Sequence, residues 1–246
     1  MNKQSSDLKI LLLQIREEEE IRDEELASFA RFSHLSVKQF DILNVFDTPL
    51  FSADIVEPYD ALFVGGASGS SVLEGDGLPF FSNCVKLLQY CIEIDKPVFA
   101  SCYGFQLTVI ALGGEIIRDE ETFELGTPQI YLTESARVDP LFCNVTNPFY
   151  AVSVHHEKAL ALPACCELLA YTDICLHAFK VVGKSFWACQ FHPEVDQEVI
   201  RIRLGVYKHI YTEDEEHYYE VINSVLPTPY SNGLLKSFIN YILTNP

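Results

Sequence analysis

Hydrophobic positions along the chain fall into two textures. Up to Gly114, short apolar runs alternate with stretches of helical spacing. The first run, residues 9–15, has the length and flanks of a strand buried on both faces. Further strands are predicted at 40–45, 61–64 and 97–100. Pro79 opens a helix to about Ile94, with Phe81, Val85, Leu88, Cys91 and Ile92 on one face. A second helix carries Leu107, Ile110 and Ala111 and stops at Gly113-Gly114. Alternation of this kind predicts β-α-β units: an α/β fold with a mainly parallel central sheet and helices on both faces.

Beyond Gly114 the spacing shortens. Segments 129–132, 151–154, 178–182 and 185–191 have strand character and are separated by turns such as Asp139-Pro140 and Val182-Gly183. They predict antiparallel hairpins added to the parallel sheet. From Val195 the pattern is helical again, with Val199, Ile202, Val206 and Ile210 on one predicted face. A loop is expected over 227–233 and a last helix over 234–243. This extension, residues 198–243, is expected to cover one side of the sheet or the entrance to the site. With no repeat and no linker in view, a single domain over 1–246 is expected.

Residues 17–25 hold six glutamates and one aspartate. The run is expected to be a solvated loop leading into a helix through Leu26, Phe29 and Phe32. It contributes to a strongly acidic chain, with 17 Lys+Arg against 35 Asp+Glu and a formal charge of −18. Such a field repels phosphate backbones, so nucleic-acid binding is not expected. The 246 residues, 48% hydrophobic and 21% charged, suit a globular core. The polar start lacks a secretory pattern, and no apolar run approaches the ~20 residues that cross a bilayer, so a cytoplasmic protein without membrane contact is expected.

Eight cysteines include no C-x-x-C pair, and Cys165 and Cys166 are adjacent. Cys84, Cys91, Cys143, Cys175 and Cys189 are expected to be small packed side chains, and neither a metal nor a cofactor is expected. His34, His177, His209 and His217 show no ligand spacing and are expected at the surface or at caps. The aromatic Tyr207, Tyr211, Tyr218 and Tyr219 are expected to pack within the extension.

Cys102 is different. Val98-Phe-Ala-Ser-Cys-Tyr-Gly104 is a buried strand that turns sharply into a helix, with the cysteine at the turn. That layout lifts a nucleophile above the sheet and places it at the positive end of a helix, where thiolate is favoured. Trp187-Ala-Cys-Gln-Phe-His-Pro-Glu194 supplies a base: a strand delivers His192 to the same sheet edge, and Glu194 can reach its far nitrogen. Gly65-Gly66, after the 61–64 strand, lets backbone approach a substrate and offers an N–H to an oxyanion. No dinucleotide or P-loop glycine pattern is present.

With Gly65-Gly66, Cys102-Tyr-Gly-Phe-Gln106 and Gln190-Phe-His-Pro-Glu194 in this order, the chain resembles the class I, triad-type glutamine amidotransferases over about residues 8–195. Weaker similarity lies in Glu124-Leu-Gly126, Asp139-Pro-Leu-Phe142 and Val154-His-His-Glu-Lys-Ala-Leu-Ala-Leu-Pro163, the last similar to a stretch of the GMP synthetase amidotransferase domain. The resemblance implies the flavodoxin-like amidotransferase fold and a γ-glutamyl thioester on Cys102. His192 and Glu194 complete the implied triad. It also implies Gly66 and Tyr103 as the oxyanion hole and Gln106 in the glutamine pocket, beside Gly65. His155 and His156 stand where the family has Ser-His-Gly-Asp, either ordering a loop or facing substrate. Phe105 replaces a histidine, and Gly65-Gly-Ala-Ser68 replaces Gly-Gly-Pro-Gly. Both departures are expected to touch the substrate pocket and relax selectivity for glutamine. Three functions follow: a glutaminase feeding ammonia to a synthase partner, a stand-alone hydrolase of γ-glutamyl peptides or amines, and a non-catalytic binding protein that kept the fold.

Overall fold

The computed structural model describes residues 3–67 and 69–245; Met1 and Asn2 of the polar start and Ser68 of the glycine loop lie outside them. The parallel half comprises β1 (Ile10–Gln14), α1 (Glu19–Ser33), β2 (Phe40–Asn44), β3 (Ala61–Val64), α2 (Phe81–Glu93), β4 (Val98–Ser101) and α3 (Tyr103–Ala111). Short strands follow: β5 (Ile116–Arg118), β6 (Glu124–Gly126), β7 (Gln129–Leu132), β8 (Phe149–Tyr150), β9 (Ser153–His155) and β10 (Glu157–Ala159). Longer ones come next, β11 (Cys166–Tyr171), β12 (Leu176–Val181) and β13 (Phe186–Cys189). The chain closes with α4 (Gln197–Tyr211), α5 (Glu215–Ser224) and α6 (Pro229–Thr244).

Nine strands form one sheet in the order β2-β1-β3-β4-β13-β12-β11-β7-β8. From β2 to β13 all pairings are parallel, and beyond β13 they are antiparallel. The late strand β13 pairs with the early strand β4, in register Cys189 to Ser101. This closure carries residues almost ninety positions apart to one sheet edge. Period-two alternation then divides the core. Ile10, Leu12, Phe63, Phe99 and Trp187 face α1 and α6, whereas Leu11, Leu13, Val64, Ala100 and Ala188 face α2 and α3.

α6 seals the first face. Phe238 lies with ring centroids 5.5 Å from both Phe63 and Phe99 and 6.0 Å from Trp187. This helix begins five residues before the expected position, at Pro229, so residues 229–233 are not a loop. Proline suits the first helical turn, where its missing N–H has no acceptor in any case. The proline, serine, asparagine and glycine of that segment look like a turn only while the burial of Ser231 and Asn232 is unknown.

Two further expectations are corrected. The acidic run is mostly helix, since α1 starts at Glu19, and it is not simply a solvated face: Glu25 is fully buried and Glu24 half-buried against arginines. The inner face of α4 is Val199, Ile200, Arg203, Leu204 and Tyr207, while Ile202 and Ile210 are exposed. Apolar periodicity misplaced this face because two of its inward positions hold an arginine and a tyrosine.

Candidate active site

Cys102 occupies the turn between β4 and α3 with φ 51° and ψ −104°, a conformation costly for a residue with a side chain. Two contacts hold it there. Its N–H donates to the Cys189 carbonyl at 2.7 Å, and its carbonyl accepts from the Gln106 N–H at 3.1 Å. Gly104 permits the turn to seat on the sheet, because a Cβ there would meet Val64 Cγ1 at 2.8 Å. The sulfur sits at the mouth of α3, whose first N–H groups, Tyr103 among them, have no acceptor within the helix.

His192 follows the end of β13, and its N–H donates to the Val152 carbonyl at 2.8 Å. Its Nδ1–H donates to Glu194 Oε1 at 2.7 Å, while the ring interacts directly with the Cys102 sulfur. Burial works against a charge on the ring, but the sulfur and the carboxylate outweigh it and raise His192 to about 9. Burial likewise opposes the charge of Glu194, and His192 followed by Arg203 overcomes it, lowering Glu194 to about 2.

Arg203, on the buried face of α4, was not singled out from sequence. Its Nη1 donates to Glu194 Oε1 at 3.1 Å and its Nε to Glu24 Oε2 at 2.6 Å. The acidic run and the C-terminal extension therefore meet behind the His192–Glu194 pair. An arginine one turn after Val199 carries no local mark of this role; only the packing of α4 reveals it.

Gly66 lies against His192 and Cys102. A Cβ on it would stand 2.8 Å from His192 Cε1 and 3.5 Å from Cys102 Cβ. Gly65 is pressed onto Glu25, whose carboxylate accepts from Arg16 Nε at 2.9 Å, and its own N–H donates to the Leu13 carbonyl at 3.0 Å. Side chains larger than hydrogen are excluded at both positions by contact.

A half-open pocket of 170 Å³ spreads from Cys102 along Tyr103, Gln106, Arg118, His156 and Tyr211. Gln106 donates through Nε2 to the Glu157 carbonyl at 3.0 Å and to Gln190 Oε1 at 3.3 Å, so its amide group ties the helix to the pocket wall. His156 stacks on Phe123 with centroids 4.4 Å apart and lies parallel to Tyr211 at 6.0 Å. Tyr211 is thus a wall of the pocket as well as a packing residue of the extension.

Phe105 does not touch this pocket. It is fully buried, with its ring 5.1 Å from Phe179 in the core facing α2 and α3, which corrects the expectation that it shapes substrate selectivity. Asp139, from a weaker motif, accepts from the Trp187 indole at 3.0 Å and from two backbone N–H groups, a structural task.

A second buried cluster lies beside the pocket. His155 sets Nδ1 3.1 Å from the Glu157 carbonyl and Nε2 3.0 Å from Glu124 Oε2. His177, expected at the surface or at a cap, is fully buried, with Nε2 2.8 Å from that same oxygen. Sequence spacing missed it because its partner Glu124 lies 53 positions away in sequence.

Among the described residues, no helix is long and apolar enough to cross a membrane. A family model described as glutamine amidotransferase class-I matches residues 36–203. One subunit of the glutamine-hydrolysing GMP synthase of Methanococcus maripaludis is 36% identical over 115 residues, 46% of this chain and 57% of that protein. The chain thus spans little more than half the length of that relative. Gamma-glutamyl peptidase 3 of Arabidopsis thaliana is 25% identical over 169 residues, 66% of each chain. The crystal structure of a glutamine amidotransferase from Thermotoga maritima superposes with a TM-score of 0.77 over 96% of this chain and 98% of that one. At 16% identity this likeness is one of fold.

Proposed function

The chain belongs to the class-I glutamine amidotransferase family, and from that premise we propose that it hydrolyses a γ-glutamyl amide through Cys102. One observation carries this reading: a sulfur held in a strained strand-to-helix turn beside an imidazole whose other nitrogen is fixed 2.7 Å from a buried carboxylate. A packing cysteine needs neither the strain nor the partners.

In the proposed reaction the Cys102 thiolate attacks the γ-carbonyl carbon and the carbonyl π electrons move to oxygen. The Tyr103 and Gly66 N–H groups stabilise that oxyanion. The intermediate collapses with cleavage of the C–N bond, and the His192 imidazolium gives its proton to the departing nitrogen. Ammonia or an amine leaves, and a γ-glutamyl thioester remains. Water, deprotonated by His192, then attacks the thioester, restoring the thiolate–imidazolium pair and releasing the γ-carboxyl group, which loses its remaining proton to solvent. Glu194 keeps the ring in the tautomer with Nε2 toward sulfur and stabilises its charge. Gln106, Gly65 and the wall at His155 and His156 border the bound glutamyl group.

Free glutamine is the first substrate reading, with ammonia passed to a synthase partner. A second reading, hydrolysis of γ-glutamyl peptides or amines without a partner, is favoured by the longer span shared with the γ-glutamyl peptidase, 66% of each chain against 46% and 57%. Ammonia release from glutamine, measured beside amine release from γ-glutamyl dipeptides, separates them by kcat/KM. Thioester trapping on Cys102 is expected with the preferred substrate. Equal turnover by Cys102→Ala with either class would remove both.

A further inference from the structure

We propose that Glu124, His155, Cys175 and His177 form a closed four-ligand zinc site that fastens the wall of the Cys102 pocket. The ligand atoms of these four buried residues all lie within 4.8 Å of one another. A tetrahedral zinc with bonds of about 2.0–2.3 Å holds its ligand atoms about 3.3–3.8 Å apart, so small side-chain adjustments suffice.

Hydrogen-bond accounting points to a cation. His177 has no exposure, and neither ring nitrogen has a hydrogen-bonding partner among the described residues. Its Nε2 stands 2.8 Å from Glu124 Oε2, yet out of line for an N–H···O bond. Buried imidazoles ordinarily find a partner for each polar nitrogen, so the arrangement needs an explanation. His155 has the matching fault. A carbonyl can only accept, so Nδ1 must donate to Glu157, and Nε2 can donate to Glu124 Oε2 only from a charged ring, which burial disfavours. Two imidazole nitrogens thus converge on one carboxylate oxygen, at 3.0 and 2.8 Å. A metal ion would give the two Nε2 atoms and Glu124 Oε2 a common partner, with His177 Nδ1 still without one among the described residues.

The surroundings match such a site. His155 donates its second nitrogen to a backbone carbonyl, the arrangement that orients ligating histidines. Thr172 Oγ1 donates to Glu124 Oε1 at 2.8 Å, leaving Oε2 to coordinate. Cys175 supplies sulfur, and two nitrogens, one oxygen and one sulfur suit zinc better than magnesium or calcium. On binding, Cys175 exchanges its S–H bond for a Zn–S bond and its proton leaves to solvent. With all four positions taken by protein, no place remains for an activated water, so the ion is structural. It would join β6, β9, β12 and the turn before β12.

The test uses the full chain carrying Cys102→Ala, so that the nucleophile contributes no ligand, and adds Co²⁺ or Zn²⁺ alone. One equivalent of Co²⁺ is expected to give the visible spectrum of a four-coordinate ion and a sulfur-to-cobalt charge-transfer band, both abolished by Zn²⁺. Cys175→Ser should remove the charge-transfer band. His177→Gln should weaken affinity by at least the roughly 10–100-fold that loss of a partner outside the ligand set costs. Should either variant fail to fold, X-ray absorption of the zinc-loaded Cys102→Ala chain decides: one sulfur with nitrogen and oxygen neighbours supports the site. No stoichiometric binding, a metal shell without sulfur, or a sulfur band that survives Cys175→Ser overturns it.

Discussion

Two buried polar clusters flank the pocket, and they solve the cost of burial differently. In the first, around Cys102, each charge meets an opposite one: His192 meets sulfur and Glu194, and Glu194 meets His192 and Arg203, which in turn meets Glu24, although Glu194 Oε2 has no hydrogen-bond partner among the described residues. In the second, around Glu124, two imidazoles converge on one carboxylate oxygen, and neither nitrogen of His177 has a hydrogen-bond partner among the described residues. A chain of complementary charges needs no added ion and can move a proton. A set of converging ligand atoms can take a cation and be held by it. The difference fits the two proposals, chemistry at the first cluster and bracing at the second.

The sharpest way to break the comparison is to remove the nucleophile. Cys102→Ala should abolish thioester formation and lower kcat by a factor on the order of 10⁴ or more, while leaving the second cluster able to take metal. Glu194→Gln keeps shape but frees His192 to adopt the wrong tautomer, and should lower kcat by roughly 10²–10⁴-fold with little change in KM. Steady-state kinetics on the preferred γ-glutamyl substrate reads both.

Arg203 tests whether the extension belongs to the site. Arg203→Met leaves Glu24 and Glu194 without their shared cation, and breaking a buried ion pair from one side costs about 3–5 kcal/mol. Chemical denaturation should show that loss. Arg203 is a positioning residue, so the pH profile of kcat should also shift, and Arg203→Lys should restore part of both.

The smallest expected effect is on the proton itself. NMR titration should place His192 well above an ordinary histidine, near 9, and lower it in Cys102→Ala as the sulfur disappears. Because the folded value is raised, this ring's contribution to stability is complete below about 6.5 and fades as pH climbs through about 9. Glu194 behaves in the opposite sense: its contribution is present above about 4.5 and is lost as pH falls toward 2. An unchanged His192 titration in Cys102→Ala would dissolve the distinction drawn for the first cluster.

Gly104 and Cys102 were legible because a strand-to-helix turn is local: apolar strand, cysteine and glycine fall within seven residues. His192 and Glu194 were legible for the same reason at the end of β13. Phe105 was misjudged although it neighbours these residues, because successive helix positions point about 100° apart and only packing tells pocket from core. The acidic run, Arg203 and His177 left no local trace, since their partners lie 9, 179 and 53 positions away in sequence.

By itself, then, the order of apolar and polar residues determined the alternating strands and helices, the glycine turns and the cysteine lifted above a sheet edge. Those features depend on backbone geometry and near-neighbour chemistry, which a few adjacent residues dictate. Only the tertiary structure decided which acids became buried counter-ions, which face of α4 turned inward and which histidines met Glu124. Each of those depends on what the pairing of β13 with β4 and the docking of the last helices brought together, and desolvation acts on the assembled neighbourhood rather than on the residue alone.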